Sequence, residues 1–228
     1  MNPTKERCLL AATVLVFSGM LLAGDERAEI EDLVASYSEL NQFSGSMLVA
    51  VDSEPIYRKG VGLANREWKV PNHPGTKFRL GSITKQFTSM IILKMVEEGK
   101  IKLEGPLSDY LPWYRRGTGR KVTIHHLLTH TSGIPSYTNH PDFWSEDIRT
   151  RFTTRELIEK WCSDPLEFTP GSQWKYNNSA YVILGAIVEE ITGKSYESVL
   201  RERILDPLGM AATGYDHYET IIPSRATG

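Results

Sequence analysis

Phe78-Arg79-Leu80-Gly81-Ser82-Ile83-Thr84-Lys85-Gln86-Phe87 opens a stretch that runs to Pro112 (FRLGSITKQFTSMIILKMVEEGKIKLEGPLSDYLP). Apolar residues at Ile83, Phe87, Met90, Ile91, Leu93 and Met95 predict a buried helix that starts near Ser82 and ends near Gly99. Lys85 lies three residues after Ser82, so both side chains fall on one helical face. A hydroxyl is a weak nucleophile until a neighbouring base takes its proton, and this spacing brings an amine to it. The N–H groups at a helix start favour developing negative charge. Ser82 could equally be a plain helix cap. Spacing alone does not decide, because Ser-x-x-Lys recurs at Ser172-Gln173-Trp174-Lys175. That copy follows Pro170-Gly171 and has no apolar helix behind it, so it reads as a turn.

Upstream, residues 26–41 place Ile30, Leu33, Val34 and Tyr37 on one face of an amphipathic helix. Ser46–Asp52 and Pro55–Ala64 read as a β-hairpin turning at Ser53-Glu54, and Asn65–Lys77 as a loop. Downstream, Ile101–Ser172 is punctuated by six prolines into loops and short helices. Asn178–Thr192 is a helix with Tyr181, Leu184, Val188 and Ile191 on its apolar face, closed by Gly193. Ser195 caps one more helix, Tyr196–Leu205, before Pro207. Thr213–Gly228 is short and polar and gives no strand signal. A lone hairpin is marginal in water, so the sheet reads as unfinished.

The chain has 228 residues, 40% hydrophobic and 24% charged, enough to bury a substantial core. A formal net charge of -2 argues against a nucleic-acid binder. Lys5 and Arg7 precede an apolar run, Cys8–Ala23, that is followed by a polar stretch. This is the pattern of a secretory signal peptide, and the run is short for a membrane anchor. The expected organisation is a signal peptide over 1–24, a partial sheet region over 25–77 and a mostly helical region over 78–228. Export would place the protein in the periplasm or outside the cell, with no stable membrane span after cleavage. Cys162 would then stand alone, without an intrachain disulfide. No cofactor or metal is expected.

Phe78–Pro112 resembles the penicillin-recognising serine hydrolases, which include class C β-lactamases, D-alanyl-D-alanine carboxypeptidases and related esterases. VTIHHLLTHTSGIPSY (Val122–Tyr137) and the block Phe168–Thr213 resemble further segments of that superfamily, in the same order. The resemblance implies a β-lactamase/transpeptidase-like fold of the α/β (α+β) class, with an N-terminal helix on a partial antiparallel sheet beside a helical region. It implies that Ser82 is the acylated nucleophile and that Lys85 helps deprotonate it. By the same resemblance, Tyr176 would act with Lys85 as general base and return the proton to the leaving group. Asn178 binds the substrate amide and keeps Lys85 oriented. The implied substrates are a β-lactam, a D-Ala-D-Ala peptide or an ester. A second Tyr-x-Asn, Tyr137-Thr138-Asn139, falls in a proline-flanked loop and ranks behind.

A third motif of the superfamily, Lys or His followed by Thr/Ser and Gly on a strand, has no credible copy in these 228 residues. The later strands of the sheet are not recognisable either. This motif supplies an oxyanion donor, whose loss costs on the order of 100- to 1000-fold in rate. The expectation is a fragment, a truncated product or a non-catalytic relative that binds wall peptides or a partner. His126-Leu127-Leu128-Thr129-His130 has the histidine spacing of a zinc helix, but Leu127 stands where the catalytic Glu of such a site would be. An α/β-hydrolase is excluded, because no Gly-x-Ser-x-Gly elbow occurs.

Overall fold

A computed structural model describes residues 26–217 and 219–227. The signal peptide expected over 1–24 lies outside the described residues. The chain divides into two compact units, one made of residues up to Arg79 together with those from His217 onward, the other of Leu80–Asp216. The sequence reading drew its boundary at 77/78 and kept the whole C-terminal part in the helical region.

In the first unit, helix α1 spans residues 26–39. Its apolar face is narrower than the sequence implied: Val34 is buried and Ile30 half-buried, whereas Leu33 and Tyr37 are exposed. Val34 and Ile30 face the hairpin strands β1 (Gly45–Val51) and β2 (Glu54–Val61) in a small core of Val34, Tyr57 and Val61. The strands are antiparallel, with a bulge between Val49 and Ala50. Asp52 and Ser53 both have positive φ, the conformation that matches strand twist in a two-residue turn. The turn therefore sits one residue earlier than expected. Tyr57 donates to Glu31 at 2.8 Å, and burial, then Glu31, pushes its phenol up to about 12.

Two sequence expectations change in this unit. Within the expected loop, β4 (Val70–Pro71) pairs with β3 (Leu63–Asn65), so the second expected strand breaks at Gly62 and resumes. The polar tail is also extended: Arg225 bridges to Lys77 and Thr227 to Asn65, both parallel. Lys77 donates to Ser224 O, Ala226 to Lys77 O and Thr227 to Ala64 O, each at 2.9 Å. Backbone pairing of this kind needs no apolar side chains, which is why the tail gave no strand signal.

The second unit is helical. A 3-10 turn at Gly81–Ile83 leads into α2 (Thr84–Glu97). Short helices α3 (Leu107–Tyr110), α4 (Arg116–Gly119) and α5 (Ile124–Leu128) follow, then α6 (Thr154–Trp161), α7 (Asn178–Thr192) and α8 (Tyr196–Leu200). The last expected helix ends early as α-helix, and Arg201–Leu205 continues it as a wider π turn. α7 is the central element, packed against α2, α5, α6 and α8. Ala180, Ile183, Leu184, Ala186, Ile187 and Val188 are all buried, so it is apolar nearly all round rather than on one stripe. α2 contributes Ile91, Ile92 and Met95 to the same core, while Ile83, Met90 and Leu93 on its other side are exposed.

Candidate active site

Gly81 sits at φ +54, a left-handed conformation that costs glycine little. It swings the chain so that Ser82 stands at the head of α2. Ile83 is the cap residue of that helix and no side chain caps it, so Ser82 does not serve as the cap. Its Oγ faces two other groups instead. The Tyr176 hydroxyl donates to it at 2.7 Å, and Lys85 Nζ donates to it at 3.4 Å. Lys85 Nζ also donates to Asn178 Oδ1 at 2.7 Å and lies 4.8 Å from the centre of the Tyr176 ring. All four residues singled out in the sequence therefore meet, although they come from segments more than ninety residues apart.

Tyr176 and Asn178 are placed by the start of α7. Asn177 caps that helix by accepting from Ala180 N–H at 2.8 Å, and its side-chain amide donates to Ile134 O. Asn178 N–H donates to Ser136 Oγ at 3.0 Å, and its Nδ2 donates to Thr138 Oγ1 at 2.8 Å. Ser179 Oγ donates to Pro135 O at 2.7 Å and accepts from Tyr137 N–H at 2.9 Å. The loop 134–138 thus brackets the helix start and holds the Asn178 amide with its oxygen toward Lys85. Gly133, at φ +73, makes the loop possible: a Cβ there would lie 2.2 Å from Phe168 O. Ser136 and Thr138 were missed as site residues. The signal was the place of Ser136 near the end of the second block and of Thr138 inside the Tyr-x-Asn match that ranked behind.

Residues 30–228 of the chain match the β-lactamase family. The chain belongs to this family. It is 36% identical to esterase EstB of Burkholderia gladioli over 187 residues, 74% of this chain and 46% of that protein. The chain spans less than half the length of the curated relatives it matches. A penicillin-binding protein from Bacillus halodurans superposes with TM-score 0.75 at 31% identity, covering 86% of this chain and 59% of that one. A D-amino acid amidase from Ochrobactrum anthropi, complexed with L-phenylalanine amide, gives TM-score 0.73 at 26% identity, covering 89% and 57%. The β-lactamase/transpeptidase-like fold expected from the sequence is thereby established, and the relatives named include an esterase and an amidase.

Within this β-lactamase-family site, burial raises the Tyr176 phenol, but hydrogen bonds with Lys85 and Ser82 and the Lys85 charge outweigh it and hold it below the ordinary 10.0. A phenol so placed gives up its proton more readily and, as phenolate, accepts one from the hydroxyl beside it. A lone thiol could in principle be a nucleophile, but Cys162 is buried, and burial pushes its thiol up to about 12. The second Ser-x-x-Lys is an exposed turn, in which Ser172 Oγ donates to Thr169 O and Lys175 pairs with Glu167 at 2.6 Å. In the histidine pair, Nδ1 of His126 accepts from Thr123 N–H as part of a capping box on α5. Among the described residues no group of three or more His, Cys, Asp or Glu side chains is disposed to hold a metal ion, and no helix is long and apolar enough to cross a membrane.

Proposed function

We propose that Ser82 is the nucleophile of an acyl-transfer centre that hydrolyses a carboxylic acid derivative through a covalent acyl-enzyme. The contact of the Tyr176 hydroxyl with Ser82 Oγ at 2.7 Å, beside Lys85, carries this reading. Tyr176, as phenolate held by Lys85, takes the Ser82 proton as Oγ bonds to the substrate carbonyl carbon. The proton then passes to the departing amine or alcohol as its bond to that carbon breaks. Water attacks the acyl-Ser82 ester in the second half, Tyr176 takes its proton, and the acid is released with Ser82 Oγ reprotonated. Asn178 fixes Lys85 through its oxygen. The substrates proposed are β-lactams, D-Ala-D-Ala peptides or esters, met outside the cytoplasm; the pattern of residues 1–24 and the esterase and penicillin-binding protein among the relatives support this choice.

Intact mass before and after incubation with benzylpenicillin, and separately with p-nitrophenyl butyrate, tests the reading. An adduct located on the peptide bearing Ser82, abolished in Ser82→Ala, is expected with at least one of the two. No adduct with either reagent would favour a non-catalytic protein that binds wall peptides or a partner.

A further inference from the structure

His130, the second histidine of the zinc-like spacing, is not among the four residues above, yet it touches the site from behind. It follows α5 at φ +61, a left-handed conformation uncommon for residues other than glycine and less rare for His and Asn. Its Nδ1 accepts from the backbone N–H of Asn177 at 3.1 Å, and its own carbonyl accepts from Lys175 N–H at 2.9 Å. These two bonds clasp the backbone on both sides of Tyr176. The imidazole also lies against the Tyr176 ring, with centroids 4.7 Å apart and planes tilted by 40°. Its remaining neighbours are the ring of Tyr181 on α7 at 5.2 Å, Trp174 at 6.1 Å edge-on, and the charge of Lys85 on α2. The backbone on either side of Tyr176 and one face of its ring are thus held by a single residue.

We propose that His130 is a positioning residue that keeps the Tyr176 hydroxyl on Ser82, acting through Nδ1 on Asn177 and through its ring face on Tyr176. An accepting Nδ1 requires the neutral tautomer with the proton on Nε2. Protonation of Nδ1 would set two N–H donors against each other, release Asn177 and shift Tyr176. It would also add a second cation beside Lys85. Burial and the Lys85 charge both hold the imidazole below its ordinary 6.5, so the neutral form prevails at pH 7. The kinetic part of this inference rests on the acyl-enzyme reading; the structural part does not.

The test joins a readout that needs no turnover to one that does. With tyrosine labelled at 13Cζ and histidine at 15N, the free protein is titrated from pH 8 to pH 4.5. The expected result is a His130 with unprotonated Nδ1 at pH 8, and a Tyr176 13Cζ resonance that moves as His130 protonates. In His130→Asn the side-chain oxygen can still accept from Asn177 and Asn tolerates the left-handed backbone, so the Tyr176 step should vanish while the fold is kept. His130→Phe keeps a ring but strands the Asn177 N–H. It should slow acylation by p-nitrophenyl butyrate on the order of 10- to 100-fold, more than His130→Asn does. Below the His130 titration the wild-type acylation rate should fall more steeply than first order in protons, and that of His130→Asn should stay first order. A Tyr176 resonance indifferent to His130 protonation and to both substitutions overturns the proposal, whether or not Ser82 acylates. A coupled Tyr176 resonance in a protein that never acylates would uphold the positioning role and count against the hydrolase reading alone.

Discussion

At the scale of single residues, the proposed proton path is only two contacts long, Tyr176 and Lys85 on Ser82. Tyr176→Phe removes the group proposed to take the Ser82 proton while leaving the ring against His130. It should cut acylation about 100-fold or more with little change in substrate binding, which pre-steady-state kinetics would resolve. Equal rates in wild type and Tyr176→Phe would remove Tyr176 from the mechanism. Because Lys85 and Ser82 hold the Tyr176 phenol below 10.0, acylation should rise with pH and level off below that value. Stability has its own pH dependence. Burial is the first cause lowering both His126 and His130 from 6.5, so the unfolded chain takes up protons that the folded chain refuses. More protons on the unfolded side means that stability falls as pH drops from about 6.5, until the folded-state values are reached. The urea midpoint should therefore decline from pH 7 toward pH 5, and decline less in the double variant His126→Asn/His130→Asn. A double variant with the full wild-type slope would assign the effect elsewhere.

At the scale of elements, the legible part of the site was the part that one helix builds. Ser82 and Lys85 lie three residues apart, so spacing put them on one face and the apolar helix behind them set them apart from Ser172-x-x-Lys175, while the resemblance decided their role. Tyr176 and Asn178 were reached only through resemblance, because nothing in Lys175-Tyr176-Asn177-Asn178 distinguishes a site tyrosine from a core one. Ser136 and Thr138 were missed for a different reason, because their signal named the segment and not its contacts. Their place at Asn178 depends on the path of the loop 130–138, and that path depends on a backbone approach between Gly133 and Phe168 thirty-five residues away. Gly133→Ala tests the dependence. The added Cβ meets Phe168 O at 2.2 Å in a backbone conformation that alanine resists, a combined cost of about 1–3 kcal/mol or more. The variant should lose thermal stability and acylation together, the second through Asn178 and Lys85. Thr138→Val should separate the two effects: it removes the acceptor for Asn178 Nδ2 and a hydroxyl contact with Ser136 while leaving the loop backbone, and so should lower acylation while costing about 1–3 kcal/mol at most. Unchanged kinetics in Thr138→Val would mean that the Asn178 amide holds Lys85 without help.

At the scale of the whole molecule, the helical unit was the more legible of the two because its stability comes from side-chain burial, which leaves a pattern. The bounds of α7 and its Gly193 terminus follow from apolar spacing, though burial around most of its circumference does not. In the other unit, β3, β4 and the tail at 224–227 are held by backbone hydrogen bonds over two or three residues, too short to leave a pattern in side-chain type. The same contrast governs how firmly each unit should resist opening. The helical unit has a continuous core from Ile91 through Ile134 to Leu205, whereas the hairpin unit closes over Val34, Tyr57 and Val61. Local opening tracks buried apolar contact, so hydrogen exchange should be slowest in α7, at Ile183, Leu184, Ile187 and Val188. The paired amides of β1 and β2 should exchange faster by a factor of about ten or more, a gap of ~1.4 kcal/mol. Val34→Ala should widen that gap by loosening the hairpin alone, and Ile187→Ala should close it by costing the helical unit about 2–5 kcal/mol. If instead either substitution raised exchange equally in α7 and in the hairpin, the two units would open as one cooperative body, and the small core would draw its stability from the large one.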